Sequence, residues 1–277
     1  MRIIQLAFVL PALILAACQN QSNPLVAALT PPPLPRLGNQ GIDLPTDASD
    51  VLNELKGSPI GFVARYYRDP TSRWPTLTPS EAQRLSSLGM KIVTVWEGHS
   101  HNPDNFSYAS GYGDAMSAYQ QAKGVGQPAG SAIYFAVDFD ARSDQLPAVD
   151  QYFRGIAAGF AAASNGRPDY KVGVYGSGAV CYAVKASRLA QYAWLSNSTA
   201  WGGSTSYDGW NIRQGGRFGE LSFNHDSDEA RDEYGGFQLG GNGVAAPQDA
   251  LVSGVSGTVV APHPPAQAVP AAVVSSL

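Results

Sequence analysis

Ile133-Tyr-Phe-Ala-Val-Asp-Phe-Asp140 is an apolar, β-branched and aromatic run that ends in two carboxylates, Asp138 and Asp140. Such a run reads as a buried strand. An unpaired carboxylate is very costly to bury, so acids at the end of a buried strand need a reason to be there. Residues two apart on a strand point to one side, which predicts that Asp138 and Asp140 converge. In a barrel of parallel strands, the C-terminal strand ends are where chemistry sits.

Outward from this run, strand-like segments alternate with helix-like ones. The strands expected are Gly41–Asp43, Gly61–Tyr67, Lys91–Glu97, Ala132–Asp138, Lys171–Tyr175, Tyr192–Leu195, Trp210–Gln214 and a short Ser222–Asp226. Thr78-Pro-Ser-Glu81 reads as a capping box with Pro at the first helical position, and Gly89 reads as the closing residue. Gln145–Ala163 and Gly178–Leu189 read as further helices. Eight strands with intervening helices predict an α/β fold with a parallel sheet, a (β/α)8 TIM barrel. The Gly-, Ser- and Asn-rich stretch after Trp194 predicts irregularity in its second half.

The ends of the chain read differently. Arg2 followed by the apolar Ile3–Leu15 is too short to span a membrane and reads as an export signal over 1–17. Leu15-Ala16-Ala17-Cys18 resembles the bacterial lipobox, which makes Cys18 the expected lipidation site. Gln19 stands where an Asp would favour inner-membrane retention, so the expectation is an outer-membrane anchor facing the periplasm. Residues 18–38 form a Pro-rich tether, 39–244 the barrel, and 245–277 an Ala/Pro-rich tail expected to be disordered.

The 277 residues carry a net charge of −4 and no basic patch, which argues against nucleic acid as a partner. Only 14% of residues are charged while Tyr occurs 13 times, a balance that suits a neutral polar ligand such as a glycan. Cys181, the second cysteine, follows a Gly-Ser-Gly turn with no His nearby and reads as a buried structural thiol.

Comparing strand ends yields a set of acids: Asp43, Glu97, Asp138, Asp140 and Asp226, with Asp228 two further on. Arg65, Tyr66, Tyr175, Trp194 and Gln214 occupy the same level and are the candidate substrate-binding residues. Each acid alone also has a structural reading: Asp43 as a cap, Asp138 as a partner of Arg65, Asp226 and Asp228 as loop solvation. Together they have the makings of glycoside hydrolysis, in which one carboxyl protonates the leaving oxygen and another acts as base or nucleophile. No cofactor is needed, and no metal is expected. Glu97-x-His99-x-His101 offers metal donors but lacks a helical His-Glu-x-x-His, so a metal-dependent hydrolase is the weaker alternative.

Gly41-Ile-Asp43, Phe62-Val-Ala-Arg-Tyr-Tyr67, Leu77-Thr-Pro-Ser-Glu-Ala-Gln83, the 133–140 run and Val172-Gly-Val-Tyr-Gly-Ser-Gly178 together resemble a known family. It is the bacterial glycoside-hydrolase-like domain once catalogued as domain of unknown function 1906, a TIM-barrel relative of the family 25 glycoside hydrolases, the lysozyme-like muramidases. The resemblance covers about residues 39–240. It implies a muramidase-like outline carried by Asp43, the pair Asp138 and Asp140, Gln214 and Asp226. Asp140 stands where the muramidases have a Glu as general acid; Glu97, one strand away, can supply that acid instead. The implied protein is an exported, lipid-anchored hydrolase of cell-envelope glycan, with peptidoglycan, the muramidases' substrate, as the expected one. Here Asp138 is nucleophile or stabiliser, Asp140 or Glu97 is acid, and Asp43 and Asp226 position the sugar. The rival expectation is a non-catalytic barrel that binds envelope glycan or a partner.

Overall fold

Eight short strands close on themselves in sequence order, β1 to β8, leaving no unpaired sheet edge. They are β1 (Leu37–Asp43), β2 (Ile60–Tyr67), β3 (Lys91–Trp96), β4 (Ala132–Ala136), β5 (Lys171–Gly176), β6 (Tyr192–Leu195), β7 (Ile212–Gln214) and β8 (Asp226–Ala230). The structure is a computed structural model and describes residues 37–215, 221–231 and 233–240. The expected signal peptide, Cys18, the tether up to residue 36 and the tail of 245–277 lie outside these residues.

Period-2 alternation divides the strand side chains between two layers. Phe62, Ala64, Val93, Val95, Tyr134, Ala136, Trp194 and Ile212 fill the barrel interior. Val63, Ile92, Ile133 and Phe135 face outward, into the layer beneath the helices. The interior is a packed core, not a pore. Its large rings need room: a Cβ at Gly41 would meet the Phe62 ring at 2.4 Å, and one at Gly173 would meet the Tyr134 ring at 2.4 Å.

The helices are α1 (Leu52–Gly57), α2 (Pro79–Ser87), α3 (Tyr108–Val125), α4 (Leu146–Ala163) and α5 (Gly178–Ala186). Thr78 caps α2 by accepting from the Glu81 N–H at 3.2 Å, with Pro79 at the first position and Gly89 at φ 77° just beyond. The capping box is only half formed, because the Glu81 carboxylate turns to Arg65 instead of back to the cap. α3 was not among the expected helices. It packs along α4 so closely that a Cβ at Gly155 would lie 2.1 Å from the Tyr108 carbonyl oxygen.

The second half is irregular, as expected: among the described residues no helix separates β6, β7 and β8, and β7 has three residues. One strand departs from the expected direction. β8 runs antiparallel to both β1 and β7. It begins at Asp226, where the sequence reading placed its end. Because β8 is reversed, its start lies at the same mouth as the C-terminal ends of the other strands, with Asp226 paired to Asp43. The opposite end is sealed by the segment after β8. The Tyr134 hydroxyl donates to the Tyr234 carbonyl at 2.8 Å, and Phe237 forms an antiparallel bridge with Ile92.

Candidate active site

Each strand delivers its last inward-facing residues to the mouth. Asp43 ends β1, Tyr66 sits near the end of β2, Glu97 follows β3, Asp138 follows β4, and Tyr175, Trp194 and Gln214 come from β5, β6 and β7. They line two connected spaces. An inner pocket of about 200 Å³ is walled by Tyr66, Glu97, Asp138, Tyr175, Gln214 and Asp226, with Trp194 at its floor. An outer cleft of about 480 Å³ shares Tyr66, Glu97 and Asp226 with it and extends over Asp43, Arg68, Trp74, His101 and His225.

Asp43 is buried and doubly bonded. The Tyr66 hydroxyl donates to its Oδ1 at 2.6 Å and the Gln214 side-chain amide to its Oδ2 at 3.1 Å. Gln214 is itself oriented, since its Oε1 accepts from the Tyr175 hydroxyl at 3.0 Å and the Asn197 N–H at 3.1 Å. Burial pushes the Asp43 carboxyl from 3.8 up to about 6, against the pull of its two donors, and the Asp226 and Glu97 charges add to the rise. Burial also holds the Tyr66 and Tyr175 hydroxyls well above the ordinary phenol range, so both remain donors.

Opposite lies a second group. The Arg68 guanidinium pairs with Glu97 at 2.8 Å and stacks over the Tyr66 ring at 4.3 Å. His101 bridges two acids: its Nδ1 is 2.9 Å from Asp138 Oδ2 and its Nε2 is 3.6 Å from Glu97 Oε1. Donor atoms of Glu97, His101 and Asp138 all lie within 4.8 Å of one another. Burial raises the Asp138 carboxyl, with His101 opposing the rise. These three could hold a divalent cation, a different set from the Glu97, His99 and His101 of the sequence alternative. The Arg68 cation on Glu97 opposes a second positive charge there.

The expected residues do not all arrive at the cleft. Asp140 does not line it: β4 ends at Ala136, so strand alternation no longer governs 138–140. The Asp140 Oδ1 accepts from the Gly202 N–H at 2.8 Å, which ties it to the loop after β6. Arg65 is not at the mouth either. It has the opposite parity to Tyr66 and points into the helix layer, 0% exposed, where Glu81 and the Leu44 carbonyl take its donors. The alternative structural reading of Asp138 as a partner of Arg65 does not hold either, since Arg65 pairs with Glu81. Trp194 is 1% exposed, and its indole N–H donates to Asp228 at 3.0 Å, so it forms a floor rather than an open stacking face. Asp228 lies fully buried in the interior with Oδ2 unpartnered, and burial lifts its carboxyl well above the usual range. Cys181 is buried, its thiol pushed up to about 12, which makes it inert. Arg68 and Trp74 escaped the sequence reading. Arg68 shares the parity of Tyr66 and follows β2 directly, a signal that was there to be used.

Residues 53–236 match the Rv2525c-like, glycoside hydrolase-like domain. Two curated relatives, YbfG and FadG of Bacillus subtilis (strain 168), are each described as uncharacterized. They are 30% identical over 174 and 166 residues, 60% and 57% of this chain but 24% and 28% of theirs. The chain thus spans about a quarter of the length of these relatives. Among solved structures, the Tat-secreted protein Rv2525c of Mycobacterium tuberculosis aligns with TM-score 0.58 at 17% identity, covering 72% of this chain and 98% of that one. An uncharacterized B. stearothermophilus protein aligns with TM-score 0.51 at 18% identity, covering 70% and 96%. Both share the fold.

Proposed function

The chain belongs to the Rv2525c-like, glycoside hydrolase-like domain family, and on that premise we propose that it is an exported, lipid-anchored hydrolase of cell-envelope glycan, with peptidoglycan its substrate. Lipid on Cys18 would hold it to the membrane, at the outer membrane facing the periplasm. Its glycosidic bond would lie over the inner pocket.

One observation carries the reading. Glu97 and Asp138 present oxygens within 4.8 Å of each other, in environments that differ. Burial raises the Asp138 carboxyl, with His101 opposing, and in this reading Asp138 serves as the proton donor. Glu97, ion-paired with Arg68, is the carboxylate that attacks or stabilises the sugar cation. These roles reverse the assignment made from sequence. Asp43, fixed by Tyr66 and Gln214, and Asp226 would orient sugar hydroxyls.

The test is digestion of purified peptidoglycan sacculi by the full chain, with products read by mass spectrometry. New reducing ends that vanish in Asp138→Asn support the reading. A second reading, a glycan-binding barrel without catalysis, is favoured by Asp140 lying outside the cleft on Gly202. Sedimentation with sacculi, lost in Tyr175→Ala and without any product, would select it.

A further inference from the structure

Four large hydrophobic side chains stand exposed among the described residues: Trp74, Tyr108, Tyr112 and Tyr182. Trp74, 45% exposed, lines the outer cleft; the three tyrosines line neither of the two spaces at the mouth. A lone apolar side chain on a surface is ordinary. What sets Trp74 apart is its place on the wall of an open cleft and the loop that carries it.

That loop is ordered from both ends. Gln121 of α3 clamps it: its side-chain amide donates to the Arg68 carbonyl at 2.6 Å, and its Oε1 accepts from the Arg68 N–H at 3.2 Å and the Thr76 hydroxyl at 2.8 Å. The Leu77 N–H donates to the Tyr66 carbonyl at 2.9 Å. Between the clamps, Asp69 Oδ1 accepts from the Thr71 N–H at 2.8 Å and its hydroxyl at 2.6 Å, and the Ser72 N–H donates to the Asp69 carbonyl at 2.9 Å. The Ser72 hydroxyl then accepts from the Trp74 N–H at 3.2 Å, and the Arg73 guanidinium lies 5.7 Å from the ring centroid. A Trp side chain has two torsions, so on an ordered loop little freedom is left to lose on binding. The inner pocket holds about 200 Å³, and the outer cleft that joins it through Tyr66, Glu97 and Asp226 holds more than twice that, about 480 Å³. Trp74 lines only the outer space, away from the sugar over Asp138. A pyranose ring has an apolar C–H face that lies flat on an indole.

We propose that Trp74 is the stacking platform of a distal sugar subsite, so that the cleft grips a run of the glycan and not only the sugars at the bond to be cut. The inference rests on the glycan reading above and adds to it a chain-length preference and the residue that sets it.

The probes are the disaccharide and the tetrasaccharide of the peptidoglycan backbone, stripped of peptide. Affinities are measured by calorimetry on the full chain carrying Asp138→Asn, so that neither probe is consumed. The expected result is the tetrasaccharide binding at least roughly tenfold tighter, with Trp74→Ala removing most of that ratio and leaving the disaccharide within about twofold. Trp74→Phe, which keeps an aromatic face, should retain most of the ratio. Equal affinities before Trp74 is changed would overturn the platform and leave the glycan reading standing. So would a ratio that Trp74→Ala does not move, or an equal loss for both sugars, which would mark a structural role for the ring. If neither sugar binds, the glycan reading falls and takes the platform with it.

Discussion

Asp43 and Asp226 face each other across the antiparallel β1–β8 pair, two acids in direct register at the rim of the barrel. Like charges set opposite on neighbouring strands destabilise a sheet. Here the cost appears in Asp43, raised from 3.8 to about 6 by burial first and by the Asp226 charge among the lesser causes.

The sign of the resulting pH dependence is determined. The folded state holds the Asp43 proton more tightly than the unfolded chain, so this group's contribution to stability falls as pH rises from 3.8 to about 6. The loss is on the order of 3 kcal/mol. Melting curves between about pH 4 and pH 8 should show that decline in the wild type, and Asp43→Asn should flatten it while abolishing any activity.

Arg65 and Glu81 form an ion pair with both side chains 0% exposed. Removing one partner strands the other, so Arg65→Met should cost roughly 3–5 kcal/mol in urea unfolding. Arg65→Met combined with Glu81→Leu should recover most of that loss. Neither change should alter sugar affinity in protein that remains folded, because Arg65 does not reach the cleft.

Asp228 accepts from the Trp194 indole in the barrel interior. Asp228→Asn keeps an acceptor and removes a carboxyl that resists ionisation there, so at neutral pH it should be neutral or stabilising. Asp228→Ala leaves the indole N–H without a partner and should cost roughly 1–3 kcal/mol. Thermal unfolding of the two variants side by side is the check.

The two acids after β4 should separate functionally. Asp138→Asn should lower turnover of sacculi by at least roughly 100-fold, as expected for loss of a general acid. Asp140→Asn should leave it within about twofold, since Asn keeps the acceptor that Asp140 presents to the Gly202 N–H. Equal losses would show that Asp140 reaches the substrate.

The barrel was legible because its strands are β-branched and aromatic over several residues, as at 133–137 and 171–175. α3 was not, since Gly111, Gly113 and Gly124 lower its intrinsic helix propensity. The same class of small residue lets α3 and α4 approach, and that packing overrides propensity. The direction of β8 could not be read either: Asp-Ser-Asp-Glu-Ala resembles a solvated loop, and only pairing with β1 shows which of its residues turn inward. Of the site, Asp43, Glu97, Asp138, Tyr66, Tyr175 and Gln214 converge as their strand ends suggested. Arg65 failed on parity, and Asp140 failed because the strand stops four residues before it.

The reversal of β8 also determines where the chain leaves the barrel. β1 starts at the closed end, and the segment after β8 returns there to bridge Phe237 with Ile92. Both described ends of the domain therefore emerge on the face away from the cleft. A support coupled through the exposed Lys91 on that face should leave the opening free, whereas coupling through the 68–74 loop, which lines the cleft, should occlude it.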